Sequence, residues 1–323
     1  FLGGEPFKRT DLVEIAVHRT RFLANQYDKY PRFEASTNGL LDHRAQGFVR
    51  DHFSSIVLSL DGREKEHDHH RPLTGGTPSF RRVWRTAKAL ADSSVALSIR
   101  CCVSDANVEQ MEGIAEWLCG ELRPTSICFE PMKQTKEADA AGLQPPSPLP
   151  FARGYMAARR RATREGIPCV YSALSEQPRL TFCPVGKDTF IVAPDRTVRS
   201  CYLPRRHWEA AGVDMRIGRV EENGGLKVND SAVQRLRQMV RDRPRCRRCF
   251  CRWSCAGGCL VAETPPGHDK AYTDYCRRTR LIQACALLED LGMEKQMDEL
   301  LQDEEAVRRL WNNTDDRTLS EDR

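Results

Sequence analysis

Phe53-Ser54-Ser55-Ile56-Val57-Leu58-Ser59-Leu60-Asp61-Gly62 reads as a buried strand and its stop, and the fold follows from what flanks it. The apolar, β-branched run predicts extended chain, and Asp61-Gly62 supplies turn chemistry that ends it. Upstream, residues 11–25 carry Leu12, Ile15, Ala16, Arg19, Phe22 and Leu23 as a helical apolar stripe, and Arg32 to Thr37 is a short strand stopped by Asn38-Gly39. Downstream, Val83 to Leu90 reads as helix, Val95 to Val103 as strand, Val108 to Cys119 as helix and Ser126 to Glu130 as strand. Regular β/α alternation implies a parallel sheet with helical crossovers, open or barrel-like. Pro145-Pro146-Ser147-Pro148-Leu149-Pro150 is a linker by composition, and a basic helix, Phe151 to Arg164, follows it. Beyond Thr181 short strands and cysteine-bearing loops take over, which places a domain boundary near 170–180.

A chain of 323 residues has ample length for a buried core and for two domains. No run of about 18 apolar residues marks a membrane span. The 14 cysteines are too sparse for a disulfide mini-scaffold and too clustered for chance. They fit metal-binding thiolates in a reducing, intracellular compartment, so the expected location is cytoplasmic. The net charge is +5, and arginines concentrate from Arg235 to Arg252. That run lacks the interleaved aromatics of a nucleic-acid surface, so no nucleic-acid partner is expected. It reads as a solvated helix face or as guanidinium groups offsetting a negatively charged metal cluster. The acidic stretch beyond Leu288 reads as a surface helix fraying into a disordered end.

Cysteine spacing carries the chemistry. Cys183 and Cys201 form a pair; Cys246-x2-Cys249-x5-Cys255-x3-Cys259 forms a quartet; Cys276 follows alone. Thiolate sets of this kind bind iron–sulfur clusters or Zn²⁺, so spacing alone leaves the metal open. In parallel α/β folds active sites form at the C-terminal ends of strands. Four polar or glycine-rich breaks stand at such ends: Gly3-Gly4-Glu5-Pro6, Ser36-Thr37-Asn38-Gly39, Ser59-Leu60-Asp61-Gly62 and the stretch after Glu130.

These motifs resemble those of radical S-adenosylmethionine enzymes with a C-terminal SPASM domain. Gly3-Gly4-Glu5-Pro6 matches that family's GGEP motif, Ser36-Thr37-Asn38-Gly39 its T-N-G turn, and Ser59-Leu60-Asp61-Gly62 with His67-Asp68-x2-Arg71 its S-L-D-G…H-D-x-x-R run. The resemblance implies that Gly3, Gly4, Glu5, Asn38 and Ser59 contact S-adenosyl-L-methionine, with Glu5 on the methionyl ammonium and Ser59 near the ribose; Arg71 would pair with the cofactor carboxylate. It implies further that Cys246, Cys249, Cys255 and Cys276 bind one [4Fe–4S] cluster. Cys183, Cys201 and Cys259 would bind another, whose fourth ligand is Cys251, Cys169 or an open position. Arg196 stands where the family's SPASM pattern has a glycine, five residues before Cys201. The implied fold is α/β: a partial (β/α)6 barrel lacking its first strand over 1–170, a SPASM domain over 171–285, and an acidic helical or disordered tail over 286–323. The implied activity is modification of a peptide or protein substrate, with a donor such as flavodoxin or ferredoxin delivering electrons. In the family an electron passes to the sulfonium, and the 5′-deoxyadenosyl radical released abstracts a substrate hydrogen.

One departure is large. The family's C-x3-C-x2-C motif, which precedes GGEP, does not occur, and the chain opens on Phe1. The expectation is an N-terminally truncated sequence that lacks radical chemistry by itself. Tyr202 follows Cys201 where sulfatase-maturing relatives carry an aspartate base, which argues against a formylglycine maturase. A zinc-binding adaptor is the non-enzymatic alternative, and the GGEP segment with the β/α repeat argues against it. Cys101, Cys102, Cys119, Cys128 and Cys285 read as buried small hydrophobes. His67, His69 and His70 read as an exposed polar loop and Asp195 as a turn residue; no catalytic base is identified.

Overall fold

The structure, a computed structural model, describes residues 1–2, 4–175, 177–186, 189–241, 246–261 and 273–312. The chain divides into two units, Phe1–Ser172 and Ala173–Arg323. In the first, Glu34–Thr37 (β1), Ser55–Ser59 (β2), Ala96–Val103 (β3), Ser126–Pro131 (β4) and Cys169–Val170 (β5) form a parallel sheet in the order β1-β2-β3-β4-β5. Strictly consecutive order is the order of a barrel wall. A doubly wound sheet would reverse direction at a switch point. Helices Thr10–Gln26 (α1), His43–His52 (α2), Glu64–His70 (α3), Phe80–Ala91 (α4), Met111–Leu122 (α5), Lys136–Ala140 (α6) and Pro148–Arg164 (α7) lie along the chain between and beside the strands.

Period-2 alternation sorts the strand residues onto two faces. Ile56 and Leu58 of β2, Leu97, Ile99, Cys101 and Val103 of β3, and Ile127 and Phe129 of β4 are buried. Helix α4 packs on β3, and α7 packs on β4 and β5. The opposite face carries Ser36, Ser59, Ser98, Cys102, Ser126, Cys128 and Glu130, all partly exposed. This polar face meets the strand ends where the sequence placed its turns.

Three expectations change. The proline-rich stretch ends inside a helix: Pro148 is the first residue of α7, where a missing N–H costs nothing. His67, His69 and His70 lie on α3, and His67 is fully buried. Cys101, Cys119 and Cys285 are buried as expected, but Cys102 and Cys128 are only half-buried, since they stand on the polar face.

In the second unit Ile191–Val192 (β6), Thr197–Arg199 (β7), Arg216–Val220 (β8) and Leu226–Val228 (β9) form an antiparallel sheet in that order. Helices Arg205–Ala210 (α8), Asp230–Arg241 (α9), Arg252–Cys255 (α10), Asp274–Asp290 (α11), Glu294–Gln302 (α12) and Glu304–Asn312 (α13) complete it. Its core gathers Val198, Trp208, Met215, Ile217, Leu236 and Leu260, with Cys201 buried among them. The acidic stretch, expected as a helical or disordered tail, forms α12 and α13, which bury Met297, Leu301 and Val307. Met297 and Leu301, four residues apart, share one face of α12, and that apolar face is buried despite the charges on the outer one. Residues 313–323, also assigned to that tail, lie outside the described residues. Among the described residues no helix is long and apolar enough to cross a membrane.

Candidate functional site

The strand-end motifs of the first unit are tied together by carboxylates. Glu5 Oε2 accepts from the Asn38 backbone N–H at 2.6 Å, and Oε1 accepts from Thr37 Oγ1 at 2.8 Å and from the Phe7 N–H at 3.2 Å. Glu5 thereby caps the short 3-10 helix Pro6–Arg9 and fastens the GGEP segment to the end of β1. Gly4 has a φ of +54° and is exposed; Gly3 lies outside the described residues. Asn38 Oδ1 accepts from the Leu40 N–H at 3.0 Å and closes the turn. At Gly39, φ +80°, a Cβ would stand 2.6 Å from Leu58 Cδ1 and 2.9 Å from Val83 Cγ1, so a side chain here would be strained and would displace its neighbours. Ser59, the last residue of β2, is half-buried.

Asp61 is the hub of the next strand end. Its Oδ1 accepts from the Cys102 N–H at 2.8 Å, and its Oδ2 accepts from Arg71 Nε at 2.6 Å and lies 3.5 Å from His70 Nδ1. Asn107 Nδ2 donates to both the Asp61 and Cys102 carbonyls. Burial alone would raise the Asp61 pKa, but Arg71, His70 and the Cys102 N–H hold it at about 2. His67 Nδ1 accepts from the Asp61 N–H at 3.3 Å, so its Nε2 carries the proton, without a hydrogen-bond partner among the described residues. Burial depresses the His67 pKa to about 4 and keeps the ring neutral. Arg71, expected on the cofactor carboxylate, is anchored to Asp61 with its side chain 34% exposed. His70 Nε2 stands 2.8 Å from Ser104 Oγ, which gives a serine–histidine–aspartate order. Ser104 is fully buried, however, and its Oγ also accepts from the Ala106 N–H at 3.0 Å. The trio braces the strand ends and offers no nucleophile to a substrate.

The second unit sorts the cysteines into two groups. Cys246, Cys249, Cys251, Cys255 and Cys276 line one pocket with Gly257, Tyr275 and Arg280. Cys201 is buried in the apolar core, and Cys183 and Cys259 pack against that core. Cys201 feels the charge of both Cys259 and Cys183, which places each of them near it. A C-x3-C pair on a helix would share a face, yet Cys255 and Cys259 belong to different groups. The cause is local: α10 ends at Cys255, and Ala256, Gly257 and Gly258 all adopt positive φ, which turns the chain away before Cys259. A Cβ at Gly258 would fall 2.6 Å from the ring of Tyr275, whose hydroxyl is 3.4 Å from Cys255 Sγ. Arg179 holds the loop from outside, donating through Nε to the Ser254 carbonyl at 2.8 Å and through Nη2 to the Ala173 carbonyl at 2.7 Å.

Cys251 lines the quartet's pocket, not the Cys183–Cys201–Cys259 group for which it was a candidate fourth ligand. Cys169 lies on β5 of the first unit. Among the described residues no three His, Cys, Asp or Glu side chains close around a position for a single ion. Five thiols facing one cavity do suit a thiolate-bound cluster, which takes four of them. Burial pushes Cys255 up to about 11, while contact with Cys251 and with Arg280 holds Cys249 below the usual thiol range. Of the arginine run, Arg252 lines the pocket, Arg237 donates to the Gly186 carbonyl, and Arg243 and Arg245 lie outside the described residues. Sequence reasoning missed Asp61 as a hub and Tyr275 and Arg280 as pocket walls. The Asp61-Gly62 pair at a strand end and the run Tyr275-Cys276-Arg277-Arg278-Thr279-Arg280 were the available signals.

No protein-family model matches the chain. Fe-coproporphyrin III synthase of Methanosarcina barkeri is 30% identical over 131 residues, 40% of this chain and 30% of that protein, so the match spans under a third of the relative. Native anSMEcpe with bound AdoMet superposes with a TM-score of 0.68 at 17% identity, over 92% of this chain and 84% of its own. The same protein with AdoMet and a Kp18Cys peptide gives 0.67 at 16% identity, over 92% and 84%. Streptococcus suis SuiB bound to S-adenosylmethionine gives 0.53 at 13%, over 85% and 64%. The chain shares its fold with these S-adenosylmethionine-bound proteins: a parallel β/α sheet followed, in this chain, by a cysteine-rich unit.

Proposed function

We propose that this chain belongs to a radical S-adenosylmethionine enzyme that modifies a peptide or protein, and that its second unit binds two auxiliary [4Fe–4S] clusters. The observation that carries the reading is the separation of the cysteines into a five-thiol pocket and a distinct three-thiol group. Cys246, Cys249, Cys255 and Cys276 hold one cluster, and Cys183, Cys201 and Cys259 hold the other. In the first unit Gly3, Gly4, Glu5, Asn38, Ser59 and Arg71 contact S-adenosyl-L-methionine. Glu5 keeps about one lone-pair position for an ammonium beyond those given to Thr37, Asn38 and the Phe7 N–H, because a carboxylate accepts about four hydrogen bonds. When bound, the clusters and the cofactor supply one-electron chemistry that side chains do not. The protein's own groups orient them: the Asp61 network holds the strand ends rigid, and the polar sheet face with Cys102, Cys128 and Glu130 is where substrate would lie. A peptide substrate is supported by the neighbour that binds Kp18Cys. Exposed Tyr202, standing after Cys201 in place of an aspartate, argues against formylglycine formation.

Purified without oxygen and reconstituted with iron and sulfide, the chain should hold about eight irons, four per cluster. Stoichiometric zinc without visible cluster absorbance would overturn the reading. These 323 residues carry no C-x3-C-x2-C triplet, so under dithionite they should form no 5′-deoxyadenosine from the cofactor. Catalytic turnover would show that another cysteine set performs the cleavage.

A further inference from the structure

Arg280 of α11 is 3% exposed and lines the five-thiol pocket. Its Nη1 donates to Cys249 Sγ at 3.6 Å, and its Nη2 donates to the Leu310 carbonyl of α13 at 2.8 Å. The guanidinium carbon lies 5.0 Å over the Phe250 ring. A second tie joins the same helices, from Trp311 Nε1 to the Arg277 carbonyl at 3.1 Å. The planar, permanently charged fork is therefore fixed on three sides: a thiol, a carbonyl and an aromatic face.

We propose that Arg280 sets the reduction potential of the cluster held by Cys246, Cys249, Cys255 and Cys276, as a positioning residue that donates to the Cys249 thiolate and offsets the cluster's charge. This rests on the reading that the pocket holds an iron–sulfur cluster. One electron entering the cluster breaks no bond and adds one negative charge. A buried cation and a hydrogen bond to ligating sulfur stabilise the reduced form more than the oxidised one, so both raise the potential. The arginine run at 235–252, which the sequence offered for this task, contributes Arg252 to the pocket, whereas the hydrogen bond to sulfur comes from a helix beyond it. The Leu310 carbonyl, on the last described helix, steadies the donor, which gives the C-terminal helices a role in the electron chemistry.

The test is a dithionite titration followed by electron paramagnetic resonance, on reconstituted wild type, Arg280→Gln and Arg280→Lys, with iron counted in each. Cys255→Ala identifies which signal belongs to this pocket. Arg280→Gln should load iron as wild type does and lower that cluster's midpoint by at least a tenfold change in the reduction equilibrium, 59 mV for one electron. The other cluster's midpoint should stay. Arg280→Lys, which keeps the charge, should fall less. Full loading with both midpoints unchanged in Arg280→Gln overturns the inference, as does an equal shift in Gln and Lys. Should Arg280→Gln fail to fold, Phe250→Leu carries the test by releasing the guanidinium from its ring: a lowered midpoint supports the inference and an unchanged one sinks it. Wild type without iron overturns the cluster reading itself, a different failure from iron with an untuned potential.

Discussion

His67 shows how far one side chain departs from its sequence appearance. Among His67, His69 and His70 the sequence presents a polar loop; in the fold His67 is sealed beside Asp61 with only its Nδ1 hydrogen-bonded. Its folded pKa of about 4 lies below the value of 6.5 for an exposed imidazole. Between those values the unfolded chain binds a proton that the folded chain does not, so stability falls as pH drops through that window. From pH 7 to 5 the loss should reach about 2 kcal/mol, read from urea midpoints. His67→Gln, which keeps an acceptor for the Asp61 N–H, should show a smaller loss over the same range. Equal slopes in the two proteins would mean that His67 protonates freely in the fold. Asp61 does not confuse the comparison: its depressed pKa places its own stability loss below pH 3.8, down to about 2.

At the scale of single elements, turns decide where side chains point. The β6–β7 hairpin turns through Pro194, Asp195 and Arg196, with Asp195 Oδ1 accepting from the Thr197 N–H at 3.0 Å, as its turn reading expects. Arg196 has a φ of +63°, the left-handed position that closes a three-residue hairpin loop. The sequence has arginine where the pattern it resembles has glycine, and Arg196 adopts the left-handed backbone that glycine takes without strain. Arg196→Gly should therefore stabilise the second unit by about 1 kcal/mol in urea unfolding, against the ordinary trend for glycine. A loss of stability would mean that the arginine side chain contributes more than its backbone costs. The Ala256-Gly257-Gly258 reversal is the other decisive turn. Because it sends Cys255 and Cys259 to different groups, Cys255→Ala should remove one cluster and leave the other, about four irons by analysis. Loss of all iron from a folded variant would show that the two sets share ligands.

Across the whole molecule, the order of elements was legible because hydrophobic periodicity is strong in β2, β3 and α4, and because turn residues bound the runs: Asp61-Gly62 after β2, Pro78-Ser79 before α4, and Ser93-Ser94 and Ser104-Asp105 around β3. Cysteine spacing was legible because Cys246, Cys249, Cys255 and Cys259 lie in one short run, so the pattern survives in one dimension. The sequence by itself determined a parallel β/α unit followed by a cysteine-rich one, the strand-end motifs, and the set of thiols. Only the tertiary structure decided which thiols share a pocket, moving Cys251 to the quartet, since side-chain direction depends on the φ values of three consecutive residues. Only the tertiary structure brought Glu5 to Asn38 and Asp61 to Cys102, contacts spanning 33 and 41 residues. It also buried His67 and carried Arg280 to Cys249 across 31. Local pattern records propensity and period, whereas long-range partners are chosen by packing, where a buried charge or donor settles wherever its hydrogen bonds can be met.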